Sequence, residues 1–497
     1  MNIYESILKL HIEKRAFING SYVWSRSNKI INKKSSYNGD DLSGIADCND
    51  EDISIAVQCA EDSFKSGIWK NKKPSERKSV LLRLADLMEQ NKKELAMLDS
   101  YETGRAYINY LNDSIPKAID AIRYYAEAVD KYYDRAVSPQ VSSFSTMVRV
   151  PLGVVGIITP WNDPMVVASW KFAPALLMGN SVVIKPAEQS SFSLIKTAML
   201  AKEAGIPDGV FNVVTGRGEV AGKALALHPG VRGIFFTGSS AVGKKIMQYA
   251  GLSNLKKVGL ECGGKSPFIV TRNYNDIEGA AETLAKNVFY NQGQICTAPS
   301  RAIVDETVFD EFVKALKIFC DNFVPGDPFD TENNVGCVVS REQYDRVNSY
   351  IELAKKEGAE IYQPTHTKNK CVNSCCIQPT VILGLDNDAR SVREEIFGPV
   401  VAIIKYKNIK EAIEIANDTN YGLAGAIFTD DLNEAYYGAN NIDAGLVHIN
   451  SWGEDEVHTP FGGVKESGLG KDRSMWAFDE YSEIKTVWMK FKNIGIF

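Results

Sequence analysis

From about residue 150 the sequence alternates short apolar, β-branched runs with stretches of helical periodicity. That pattern belongs to a mostly parallel, doubly wound sheet and suits few other architectures. Val154 to Ile158, Ser181 to Ile184, Val210 to Val214 and Gly233 to Phe236 read as strands. Between two of them Phe192, Ile195, Ala198, Met199 and Ala201 fall at near-helical spacing, with Ser190 placed to cap the start and Gly205 and Pro207 to end the segment. A second alternation from Arg301 to about Ile449 predicts another α/β domain. Single cores rarely exceed roughly 250 to 300 residues, so a chain of 497 is expected to divide into two or three domains.

Upstream, Glu76 to Asp99 and Ser114 to Tyr133 read as long amphipathic helices, the second with Pro116 in its first turn, where a missing N–H costs little. After Lys265, Asn275 and Glu278 can form a capping box. Ile277, Ala280, Ala281, Leu284, Ala285 and Val288 then make the buried stripe of a helix that delivers the chain to Asn291 and Cys296. The tail from Ile484 to Phe491 is strand-like and apolar, and such a strand needs a partner sheet, in this subunit or another.

Hydrophobic residues at 44%, charged residues at 24% and a net charge of -6 describe a soluble globular protein and argue against a nucleic-acid binder. No apolar run reaches membrane-spanning length, and Met1 to Ser6 lacks the character of a targeting segment, so a cytoplasmic location is expected. The nine cysteines are an odd number and read as reduced thiols. Cys371, Cys375 and Cys376 lack zinc-site spacing and read as structural or incidental; no metal is expected.

Two segments can carry covalent chemistry on a carbonyl. Glu261-Cys262-Gly263-Gly264-Lys265 sets a carboxylate before a tight backbone turn, and Asn291-Gln292-Gly293-Gln294-Ile295-Cys296 sets a thiol on a loop. A free thiol is only a few per cent thiolate at pH 7, so a nucleophilic Cys296 needs activation, and Glu261 is the candidate base. Taken alone, a Glu before Gly-Gly is equally a surface-turn residue. Pro160-Trp161-Asn162 follows a strand, where the Asn amide can donate to an oxyanion or merely form a turn. Gly238-Ser239-Ser240-Ala241-Val242-Gly243 opens a helix after another strand, as suits a pyrophosphate, although Gly-x-x-x-x-Gly is a weak signal by itself. Lys185 and Glu188 can meet a ribose or face solvent.

Together these pieces resemble the NAD(P)-dependent aldehyde dehydrogenase superfamily, in the family's order and over nearly the whole chain. The matching segments are Pro160-Trp161-Asn162, Lys185-Pro186-Ala187-Glu188, Phe236-Thr237-Gly238-Ser239, Glu261 to Lys265, Asn291 to Cys296, Glu394 to Pro399, Asn420 to Leu423 and Pro460 to Gly463. The resemblance implies an α/β fold with a doubly wound NAD-binding domain (residues 1–133 and 151–262), an α/β catalytic domain (263–460) and a small bridging β element for oligomerisation (134–150 and 461–497), in a homodimer or homotetramer.

It further implies that Cys296 attacks an aldehyde, that Asn162 and the Cys296 N–H hold the oxyanion, that hydride leaves for NAD, and that Glu261 activates water to hydrolyse the thioester. Thr159, Pro160, Trp161, Lys185, Glu188, Gly238, Ser239, Gly243, Glu395 and Phe397 would contact the cofactor. Glu188 should repel a 2′-phosphate and favour NAD over NADP. A CoA-acylating enzyme would have no use for Glu261, and a catalytically silent relative would not need the full set of Cys296, Glu261 and Asn162.

Three positions depart from the family's usual residues. Cys262 stands where leucine is common and would add oxidation sensitivity. Asp163 stands where an aromatic residue is common, and Glu454-Asp455-Glu456 where neutral or aromatic residues are. With Trp170 and Phe461, the implied substrate residues are Asp163 and Asp455, whose charges would favour a cationic aldehyde or else face solvent. By Glu13 to Ile18, Asp120 to Tyr133, Ser253 to Lys257, the Asn291 to Cys296 loop and the tail near Glu483 to Trp488, the chain most resembles the γ-glutamyl-γ-aminobutyraldehyde and aminoaldehyde dehydrogenases of polyamine breakdown. His448 and His458 lie near the acidic loop, where His458 could tune pH dependence but reads first as structural.

Overall fold

Five parallel strands form the centre of the first sheet, in the order Phe211–Val213, Ser181–Lys185, Val154–Ile158, Val231–Thr237 and Lys257–Glu261. A computed structural model of the chain describes residues 3–139, 142–364, 374–454 and 456–492. The strand order reverses between Val154–Ile158 and Val231–Thr237, so the carboxyl ends of these two strands flank a crevice of the kind in which doubly wound sheets bind ligands. All five residues of Val154–Ile158 and of Ser181–Lys185 are buried, as a sheet covered on both faces requires. Ala16–Ile18 and Gly468–Leu469 add antiparallel strands at the two sides.

The second sheet runs Glu360–Tyr362, Thr380–Leu383, Val400–Tyr406, Arg301–Asp305, Pro267–Val270, Ala424–Phe428 and Leu446–Ile449, and is parallel apart from its first pair. The segment after Phe461 stitches the two together: Val464–Lys465 pairs with Tyr421–Gly422 of the second region, and Gly468–Leu469 pairs with Leu260 and Glu261. No helix among the described residues is long and apolar enough to cross a membrane.

Several local expectations are revised. The stretch Glu76 to Asp99 is two helices, Pro74–Gln90 and Lys92–Thr103, because Asn91 leaves helical geometry and its side chain donates to the Leu87 carbonyl. Helix Phe192–Ala204 is not capped by Ser190, whose hydroxyl instead donates to the Pro160 carbonyl. The buried carboxylate of Glu102 accepts the Ser191 and Phe192 N–H groups at 2.9 and 2.7 Å, and two charge-assisted bonds outweigh one hydroxyl cap. Gly205 ends that helix in the left-handed region as expected.

Helix Ile277–Val288 forms as read, but its cap is Asp276, accepting from the Gly279 N–H, while the Asn275 N–H donates to Asp430. The stretch from Ser114 is regular over Ile115–Ala128, with its last turn tightened over Val129–Lys131. The tail strand Ser482–Lys490 finds its partner within the chain, pairing antiparallel with Ser143–Pro151, which in turn pairs with Arg135–Ala136. Ile484 and Trp488 project from it more than 60% exposed.

Candidate active site

Asn162 lies just past the end of strand Val154–Ile158, and its side chain reaches the cysteine loop. Its Nδ2 donates to the Gln294 carbonyl at 3.0 Å, and Asn291 Nδ2 returns a bond to the Asn162 carbonyl, also at 3.0 Å. The loop between helix Ile277–Val288 and Cys296 turns through three consecutive left-handed residues, Asn291, Gln292 and Gly293. Only glycine fits at 293, where a Cβ would sit 2.0 Å from the Gly398 carbonyl oxygen. The strained turn is held from outside, since Gln292 Oε1 accepts the Ile377 N–H and Gln294 Oε1 accepts the Val339 N–H. Cys296 follows, half-buried.

Glu261 closes strand Lys257–Glu261 and is buried, with Oε2 lacking a hydrogen-bond partner among the described residues. Burial and the nearby charge of Asp472 raise its carboxyl well above the usual range, against the opposing pull of Lys171 and Lys471. Lys171 and Asp472 form a buried ion pair at 2.6 Å. The glycines after Glu261 permit close approach of other segments. A Cβ on Gly263 would overlap the Glu395 carboxylate, and one on Gly264 would fall 2.8 Å from the Cys296 carbonyl oxygen. The two chemical segments of the sequence therefore meet at Gly264. Cys262 is buried, and burial with the adjacent Glu261 and Glu395 charges pushes its thiol up to about 12. A buried thiol held un-ionised at neutral pH is a weaker nucleophile towards oxidants than an exposed thiolate.

The expected cofactor residues gather around the crevice. Thr159 Oγ1 and Thr237 Oγ1, at the ends of the two central strands, are buried hydroxyls without a partner among the described residues. Ser239 caps helix Ser240–Leu252, and Gly243 in its first turn lets the helix pack on Cys262, whose Sγ would lie 2.9 Å from an added Cβ. Gly238 precedes them, its N–H on the Glu261 carbonyl. Lys185 is buried and pairs with Glu188 at 3.2 Å, and Glu188 also accepts the Gly218 N–H. Glu395 accepts from the Gly264 N–H at 3.1 Å, and burial raises its carboxyl to about 7. Phe397 holds a left-handed φ of 60°, fixed by Gln343 donating to its carbonyl, and its ring meets Trp161 edge-on at 5.3 Å. Pro160 begins the turn that presents Trp161.

The residues expected to select substrate are arranged differently from the sequence reading. Asp163 has one carboxylate oxygen engaged, while Oδ1 is buried without a hydrogen-bond partner among the described residues. Its Oδ2 lies 3.3 Å from Arg105 Nη1 and accepts from Ser114 Oγ. Arg105, itself 2% exposed in its side chain, also donates to Tyr290, which donates to Asp113, which pairs with Lys117. Burial raises the Asp163 carboxyl while Arg105 draws it down. The Trp170 and Phe461 rings stand 5.3 Å apart, and Arg473 lies over both, 5.0 and 4.5 Å from their centroids. Glu454 and Glu456 are exposed, with Glu456 paired to the exposed His458, and Asp455 lies outside the described residues.

Sequence reasoning missed Arg105, Arg473, Gln292, Gln294 and the Lys171–Asp472 pair. Only Gln292 and Gln294 carried a signal, as polar residues beside the cysteine.

The chain belongs to the aldehyde dehydrogenase family: the profile described as "Aldehyde dehydrogenase family" matches residues 22–487. It is 40% identical over 488 residues, 98% of each chain, to the NADP/NAD-dependent aldehyde dehydrogenase PuuC of Escherichia coli. It is 39% identical to the aminoacetaldehyde dehydrogenase of Pseudomonas aeruginosa, over 97% of this chain and 96% of that one. An indole-3-acetaldehyde dehydrogenase solved in complex with NAD+ superposes with a TM-score of 0.96 at 40% identity, covering 98% of this chain and 99% of that one. An aminoaldehyde enzyme and an indole-aldehyde enzyme thus resemble the chain equally well, and similarity does not separate the two substrates.

Proposed function

We propose that this protein oxidises an aldehyde to its carboxylic acid with NAD, through a thioester on Cys296, and takes its substrates from the aminoaldehydes. The supporting observation is the junction of Asn162, the Cys296 loop and the Glu261 strand end around Gln294 and Gly264. Thr159 and Thr237, the helix start at Ser239 and Gly243, the Lys185–Glu188 pair and Glu395 with Phe397 fit a dinucleotide along the crevice. NAD, when bound, supplies the hydride acceptor. Glu188, with Lys185 at its side, accepts ribose hydroxyls and disfavours a 2′-phosphate.

Cys296 attacks the aldehyde carbon as its thiolate. An amide carries two N–H donors, so Asn162 can keep one bond to the Gln294 carbonyl while the other, with the Cys296 N–H, holds the oxyanion. After hydride loss the acyl group rests on sulfur. Glu261, once ionised, takes a proton from the water that attacks the thioester, and Cys296 leaves as thiolate. Lys171 and Lys471 favour that ionised form against burial. A CoA-acylating reaction would leave Glu261 idle.

In this reading Asp163 and the Trp170–Phe461 pair are poor sites for a free ammonium. Arg105 pairs with Asp163 Oδ2, and Arg473 lies over the Trp170 and Phe461 rings, so a free ammonium would have to compete with a guanidinium at both places. We therefore favour aminoaldehydes whose nitrogen is uncharged, as in an amide. The test is kcat/KM for an ω-aminoaldehyde against its N-acylated counterpart of equal chain length. The acylated substrate should lead by about tenfold; parity or the reverse order refutes this choice. The exposed Ile484 and Trp488 on the tail strand support a homodimer or homotetramer, which light scattering showing a monomer would remove.

A further inference from the structure

Cys337 and Cys376 are far apart in sequence, yet their sulfurs lie 2.6 Å from each other, close to the roughly 2.05 Å of a covalent S–S bond. Cys337 is fully buried and Cys376 is half-buried. The two segments run side by side, with the Val338 N–H donating to the Cys375 carbonyl at 3.0 Å. Both continue directly to the strained loop before Cys296. Val339, two residues past Cys337, donates to Gln294 Oε1 at 2.9 Å, and Ile377, next to Cys376, donates to Gln292 Oε1 at 3.2 Å. The Cys337 N–H also donates to the Gly104 carbonyl, beside Arg105.

We propose that Cys337 and Cys376 form a reversible disulfide that staples together the two segments holding Gln292 and Gln294. The oxidant is a peroxide, with hydrogen peroxide as the simplest case. Cys376, the accessible member, gives its electron pair to one peroxide oxygen; the O–O bond breaks, one water leaves, and the sulfur becomes a sulfenic acid. Cys337 then attacks that sulfur, forming the S–S bond and expelling the oxygen as a second water. In sum, two thiols are oxidised and one peroxide is reduced to two waters. A thiol reductant reverses the bond by exchange, as expected of a transient disulfide in a reducing compartment. Cys262, although nearer the site, is excluded from this chemistry by its buried, un-ionised thiol.

The experiment uses the full-length protein, reduced and then treated with hydrogen peroxide, alkylated, and digested without reductant. A peptide pair joined through Cys337 and Cys376, two hydrogens lighter than its parts, should dominate the cross-links and vanish with dithiothreitol. It should be lost in Cys376→Ser and in Cys337→Ser, and kept in Cys375→Ser. Cys376→Ser is the safer variant, since its site is less buried than that of Cys337. The oxidised wild type should unfold roughly 3–6 °C above the reduced protein, and oxidised Cys376→Ser should show no such rise. Absence of the link, its persistence in Cys376→Ser, or a link with no rise in unfolding temperature would overturn the proposal.

Discussion

Asn162 and Asp163 are neighbours at the end of one strand, and they lead into opposite kinds of surroundings. The side-chain amide of Asn162 donates to the backbone carbonyl of Gln294, and the Asn162 backbone carbonyl accepts from the Asn291 amide of the same loop. The carboxylate of Asp163 meets side chains, Arg105 and Ser114, that lie far back in the sequence. Backbone partners follow from topology, because the strand order dictates which loops converge at a switch point. Side-chain partners depend on which residues distant helices turn inward, and a carboxylate means opposite things with and without its arginine.

Breaking each side of this contrast should give effects of very different size. Asn162→Ala removes an oxyanion donor and should lower kcat by about 10²- to 10³-fold with stability little changed; steady-state NADH formation and thermal unfolding read the two together. Asp163→Asn leaves the buried Arg105 without its nearest acid, and should cost about 2–3 kcal/mol of stability while shifting the preference between charged and acylated aldehydes by less than about threefold. A variant that instead loses a strong ammonium preference would place the Asp163 charge against the substrate.

The smallest effect is one of pH. Glu395 has its carboxyl raised to about 7 by burial, so it is largely protonated at pH 6 and largely ionised at pH 8. An ionised Glu395 accepts ribose hydroxyl bonds better, so KM for NAD should fall by up to about tenfold across that interval, and Glu395→Gln should flatten the profile. Glu261 also titrates above the ordinary carboxylate range, but as the hydrolytic base its ionisation appears in kcat. A pH dependence confined to kcat in the wild type would argue against the Glu395 contact.

Much of this architecture was legible because it rests on periodicity and strand-end motifs. The strands at Val154, Ser181 and Val231, the helix leading to Asn291, and the pairing of Glu261 with glycines needed for close approach all follow from local patterns. Caps were less legible. Ser190 and Asn275 are chemically sound caps displaced by Glu102 and Asp276, one reached across the fold and the other one residue along. The surroundings of the proposed substrate residues were least legible, because Arg105 and Arg473 carry no local signal that they will meet Asp163 and the Trp170–Phe461 rings. Cys376 read as incidental for the same reason, since nothing near it in sequence points to Cys337.

The central claim is that Cys296 and Glu261 act in successive steps, one forming a thioester and the other enabling water to remove it. Glu261→Gln keeps the shape of the side chain and removes the base. Rapid mixing of this variant with aldehyde and NAD should give a burst of about one NADH per active site, followed by turnover slowed by two to three orders of magnitude, with an acyl adduct on Cys296 visible by intact mass. A variant that turns over at the wild-type rate, or that shows neither burst nor adduct while still binding NAD, would contradict the account.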